Sequence, residues 1–136
     1  MVKREIIEEI RNAFRKFIKE NPEVEAILLF GSYAKGEETS RSDVDVCLVI
    51  PNVRGNVRKG FKIMRKIWRE VHLDFKKYDV KILELLPLYI QISIINKHMV
   101  IYAKNILDLY EYFYFNYFKL WKDQEKRINI LTYVDT

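Results

Sequence analysis

Leu29-Phe30-Gly31-Ser32-Tyr33-Ala34-Lys35-Gly36 is followed, five residues on, by Ser42-Asp43-Val44-Asp45-Val46-Cys47-Leu48-Val49-Ile50. The first stretch completes an apolar run from Val24 that reads as a buried strand entering a turn at Gly31-Ser32. The second reads as a strand from Val44 to Ile50, stopped by Pro51-Asn52. Side chains alternate along a strand, so Asp43 and Asp45 share one face while Val44, Val46 and Leu48 face the core. Two carboxylates so placed repel each other and are hard to desolvate unless a cation sits between them. Oxygen ligands of this kind favour Mg²⁺ or Mn²⁺. Glycine lets a phosphate approach the backbone, and the Ser32 hydroxyl and neighbouring N–H groups can donate to its oxygens. Each half is common alone. Gly-Ser, ten residues, then Asp-x-Asp arises by chance in roughly one chain in six hundred of this length, at about 6% usage per residue type.

Around this centre the periodicity alternates. Ile6, Ile7, Ile10, Phe14, Phe17 and Ile18 predict a helix over 3–19, ended by Asn21-Pro22. A short helical turn and loop fill 33–42. An amphipathic helix is expected over 58–72, with Phe61, Met64, Ile67, Trp68 and Val71 on its apolar face. A third strand runs from Tyr78 to Leu83, Pro87 opens another helix, and Met99–Tyr102 forms a short strand. From Ile106 to about Lys126 the pattern is helical and rich in aromatics. The order α-β-(α)-β-α-β-α-β-α defines an α/β (α+β) fold, a mixed sheet with helices packed on it.

Composition narrows the class. At 136 residues, 49% apolar and 32% charged, the chain suits one globular domain. No apolar run approaches the ~18 residues that span a bilayer, and MVKREIIEEI places acids where a secretory signal needs its apolar stretch. A cytoplasmic protein with no membrane partner is expected. One cysteine and two distant histidines argue against disulfides and zinc. Of the net charge of +5, much is local: nine Lys/Arg lie between Asn52 and Lys77, against Glu70 and Asp74. That segment is expected to be a solvated face, with RNA or an acidic partner as the alternative.

The residues from Gly31 to Asp45 resemble the signature of the minimal nucleotidyltransferases of the DNA polymerase β superfamily, with Gly31-Ser32, Ala34-Lys35-Gly36 and Ser42-Asp43-Val44-Asp45 matching position by position. Tyr78-Asp79-Val80-Lys81-Ile82-Leu83 is similar to the segment that carries the family's third carboxylate, and Asn96–Tyr102 to its closing strand. The resemblance spans about residues 4 to 104. It implies a polymerase β-like nucleotidyltransferase core over 1–104 and a C-terminal helical extension over 105–136. It also implies a nucleoside triphosphate as substrate and Asp43, Asp45 and Asp79 as catalytic, metal-binding carboxylates. Gly31 and Ser32 would be nucleotide-binding, and two Mg²⁺ about 4 Å apart would serve the transfer of a nucleoside monophosphate. Asp74 competes with Asp79 for the third place, Lys81 should share the face of Asp79, and Cys47 reads as a small buried hydrophobe. His72 and His98 lie outside the motif.

The last helix carries Tyr110, Tyr112, Phe113, Tyr114, Phe115, Tyr117, Phe118 and Trp121. One face (Ile106, Tyr110, Phe113, Tyr117, Leu120, Trp121) is expected to cover the sheet domain, leaving the other rings for a partner or a second copy of the chain. Small nucleotidyltransferases of this shape resemble the antitoxins of toxin–antitoxin pairs whose other half is a helical HEPN ribonuclease. That implies AMP transfer from ATP to a toxin tyrosine. Two alternatives stand beside it: a catalytically weak subunit that neutralises its partner sterically, and a transferase acting on a small molecule or RNA.

Overall fold

The computed structural model describes residues 3–118 and residue 122. Its elements are α1 (Lys3–Glu20), β1 (Ala26–Phe30), α2 (Gly31–Lys35), β2 (Val44–Val49), α3 (Val57–Glu70), β3 (Tyr78–Ile82), α4 (Leu88–Asn96), β4 (Met99–Ala103) and α5 (Ile106–Phe113). Single 3-10 turns follow β2 at Pro51–Val53 and β3 at Leu83–Leu85. The strands form one sheet in the order β3-β2-β1-β4. β1 runs antiparallel to β2 and β4, while β2 and β3 are parallel, joined by the α3 crossover. The fold is the expected mixed sheet with helices.

One sheet face packs on α1 and α3. Ile6, Ile10, Phe14 and Phe17 of α1 meet Ile27, Leu29, Val46, Leu48, Val80 and Ile82 of the sheet in one cluster, joined by Ile63, Met64 and Ile67 of α3. Burying one such side chain is worth roughly 1.5–3 kcal/mol, which is why these rows set the strand register. Polar ties fix α1 on the sheet and α3 to the end of α1. The Tyr78 hydroxyl donates to Glu9 at 2.7 Å, Arg11 Nε to the Ile101 carbonyl at 2.9 Å, and Lys66 Nζ to Asn21 Oδ1 at 2.7 Å.

The structure corrects the expected face of α3. Gly60, Ile63, Met64, Ile67 and Val71 are buried, whereas Phe61 and Trp68 are 58% and 56% exposed. Gly60 explains the rotation. A Cβ there would stand 2.5 Å from one Leu85 methyl and 2.8 Å from the other, so the missing side chain lets the helix seat Leu85 against its backbone.

The chain divides into two compact units, 1–104 and 105–136. In the second, Asn105 caps α5 by accepting from the N–H groups of Leu107 and Asp108. The helix then widens into a π-type turn over Tyr114–Phe118, in place of the expected continuous helix. Leu109, Phe113 and Tyr117 are buried; Ile106 and Tyr110, expected on the covering face, are each 46% exposed. Leu109 rather than Tyr110 holds the buried position one turn before Phe113. Leu120, Trp121 and the side chain of Phe118 lie outside the described residues.

Candidate nucleotide and metal site

The five residues singled out by the sequence stand at one end of the sheet. β1 ends at Phe30, whose partner across the ladder is Asp45; Asp45 in turn pairs in register with Asp79 on β3. Parallel register thus sets two carboxylates side by side on adjacent strands. Asp43 lies two residues before Asp45, just ahead of β2, and is exposed, while Asp45 and Asp79 are half-buried. Gly31 opens α2 immediately after β1 with φ +70°, and Gly36 closes it in the left-handed conformation at φ +71°. The backbone of Gly31 packs on Asp45 itself: a Cβ at Gly31 would collide with Asp45 Oδ2 and stand 3.0 Å from its Cγ. The phosphate-type turn and the carboxylate row are therefore one constellation. Ser32 is half-exposed on the first turn of α2.

Asp45 feels both burial and neighbouring charge. Its pKa is raised above the ordinary 3.8, first by burial, then by the Asp79 charge and less by Asp43, with Lys81 opposing. Lys81 Nζ lies 3.4 Å from Asp79 Oδ2, so the lysine shares the face and closes part of the acidic row. Asp74 stands apart from the strand, in the turn before β3, where its Oδ1 accepts from the Lys76 N–H at 3.0 Å. Cys47 is fully buried, and burial with the nearby Glu84 charge pushes its thiol well above the usual range.

The donors fit a hard divalent cation in chemistry: oxygen ligands only, mutually repelling, beside a backbone turn open to phosphate. Among the described residues, no three His, Cys, Asp or Glu side chains are gathered closely enough to enclose an ion as they stand. Beside Gly31 lies a small cavity of about 80 Å³, walled by Lys35 on α2 and by Ile90, Ser93, Ile94 and Lys97 on and after α4. Sequence reading did not single out Ser93 or Lys97. The spacing of Ile90, Ser93 and Ile94 places these three on one face of α4, with Lys97 just past its end. A hollow of about 330 Å³ between α1 and the end of α3 includes none of the site residues.

Residues 12–107 match the polymerase beta, nucleotidyltransferase family, and the chain belongs to it. It is 48% identical over 103 residues to a Methanocaldococcus jannaschii protein named "putative protein adenylyltransferase", covering 75% of this chain and 73% of that one. A second protein of that name and organism is 48% identical over 40 residues, covering 29% of this chain and 40% of its own length. The fold also matches a chain of a toxin–antitoxin crystal structure with AMP-PNP (TM-score 0.61, 19% identity, 93% of this chain and 98% of that chain). A similar match is to a chain from the tri-AMPylated Shewanella oneidensis HEPN toxin in complex with its MNT antitoxin (TM-score 0.59, 16% identity, 99% and 100%). Among the described residues no helix is long and apolar enough to cross a membrane.

Proposed function

We propose that this chain transfers AMP from ATP to a hydroxyl of a protein partner, a toxin tyrosine in the first instance, and so acts as the antitoxin of a pair. The observation that carries the reading is the register of Asp45 beside Asp79, with Gly31 packed on the Asp45 carboxylate. Family membership and the adenylyltransferase relative support it. In this reading Gly31 and Ser32 hold phosphate oxygens through the open turn, and Asp43, Asp45 and Asp79 hold Mg²⁺, two ions in the full complex. Bound there, the metal would neutralise triphosphate charge and acidify the acceptor hydroxyl. The acceptor oxygen attacks the α-phosphorus, pyrophosphate leaves, and the acceptor proton is lost to solvent or a carboxylate. Positioning and fixed charge supply most of the rate.

Steric neutralisation is the competing account, and the Asp43 carboxylate separates the two. Asp43 is exposed, so Asp43→Asn should leave the fold and partner binding intact. Co-expressed with the protein of the adjoining reading frame, the variant should no longer restore growth. Full protection by Asp43→Asn would mean that the carboxylates are vestigial and that binding alone neutralises.

A further inference from the structure

One exposed shoulder of α3 is unusual for a helix whose neighbouring face is core. Val57, Phe61 and Trp68 are 58%, 58% and 56% exposed. With Met64, which is mostly buried, they form a row spaced four, three and four residues along one shoulder of the helix. Phe61 and Trp68 are thus about 10 Å apart along the axis. Alongside runs a second row, Arg58, Lys62, Arg65 and Arg69, all exposed. Among the described residues Arg58, Lys62 and Arg65 enter no ion pair, and Arg69 meets only Glu70, at 3.9 Å. The helix therefore presents an apolar seam flanked on one side by unneutralised cations.

We propose that this face of α3 docks an amphipathic helix of a partner protein, with apolar residues along its centre and acidic residues along its flank. The four-three-four row is the spacing at which a second helix inserts its own side chains. The cations flank the seam rather than interleave with the rings, so charge complementarity calls for acids beside the partner's apolar stripe, where they also set orientation. Exposed Phe and Trp supply large anchors at low entropic cost. The surface is separate from the aspartates, so the docking claim stands or falls independently of the transfer reaction.

A fluorescently labelled peptide of about three heptads tests this, with Leu at the seam positions and Glu at the flanking ones so that it repels itself. Its anisotropy should rise on titration with the full chain. Phe61→Ser with Trp68→Ser, and separately Arg58→Glu with Arg65→Glu, should each weaken binding at least about tenfold. All four side chains are exposed, and circular dichroism melts should match the wild type. A peptide with Lys at the flanking positions should not bind. Equal binding of the Lys peptide, or unchanged affinity in either double variant, overturns the proposal. So does an oligouridylate that binds more tightly and displaces the Glu peptide, which makes the face an RNA surface. A dimer in sedimentation that both variants dissolve overturns it in favour of a second copy.

Discussion

At the scale of single residues, Asp45 carries an electrostatic burden from its burial and from the Asp79 and Asp43 charges beside it. Its raised pKa means that the folded protein holds the proton more tightly than the unfolded chain does. Stability therefore falls as pH rises from near 3.8 through the raised value, and the penalty is fully present above it. Asp45→Asn removes that penalty. In EDTA the variant should melt above the wild type at about pH 7, and the gap should close near about pH 3, where both states of the aspartate are protonated. Added Mg²⁺ should raise the wild-type melting temperature and leave the variant nearly unmoved. A variant less stable than the wild type at neutral pH would show that the carboxylate is structural. The stabilised variant is expected to be inactive, as a strained functional group would require.

At the scale of elements, the site was more legible than the packing around it. Strand alternation put Asp43 and Asp45 on one face, because a period of two leaves little freedom once one face is apolar; Asp79 came from the family resemblance, and the parallel register sets it beside Asp45. The face of α3 was not legible in the same way. Val57, Gly60, Phe61, Ile63, Met64, Ile67, Trp68 and Val71 spread over about 160° of the helix circumference, wider than one buried stripe needs, so the period alone does not choose which part is core. Gly60 chooses it, through contact with Leu85, a residue 25 positions away whose approach no local pattern encodes. The turn of α5 into a π-type geometry at Tyr114 also shifts the aromatic faces, because the wider turn departs from the 3.6-residue period. Gly60→Ala tests the α3 seat. Alanine favours the helix by ~1 kcal/mol, but the Leu85 Cγ itself stands 2.9 Å from the new Cβ, so rotating the methyls does not clear the clash. Overpacking should win, with a net loss of about 1 kcal/mol in urea unfolding. A stabilised Gly60→Ala protein would mean that α3 slides without resistance.

At the scale of the molecule, the sheet does one thing for function: it brings a turn from the end of β1 and carboxylates from β2 and β3 to a single rim. Residues far apart in sequence, Gly31 and Asp79, are thereby joined through Asp45. The extension from Asn105 adds exposed rings at Tyr110, Tyr114 and Phe115, and α3 adds the seam proposed above. The most direct measurement uses ATP labelled at the α-phosphate, with Mg²⁺, this protein and the protein of the adjoining reading frame. Label should pass to a tyrosine of the partner, should not pass from ATP labelled at the γ-phosphate, and should vanish with Asp79→Asn but persist with Asp74→Asn. Transfer of the γ-label, no transfer at all, or an active Asp79→Asn beside an inactive Asp74→Asn would contradict the site as assigned.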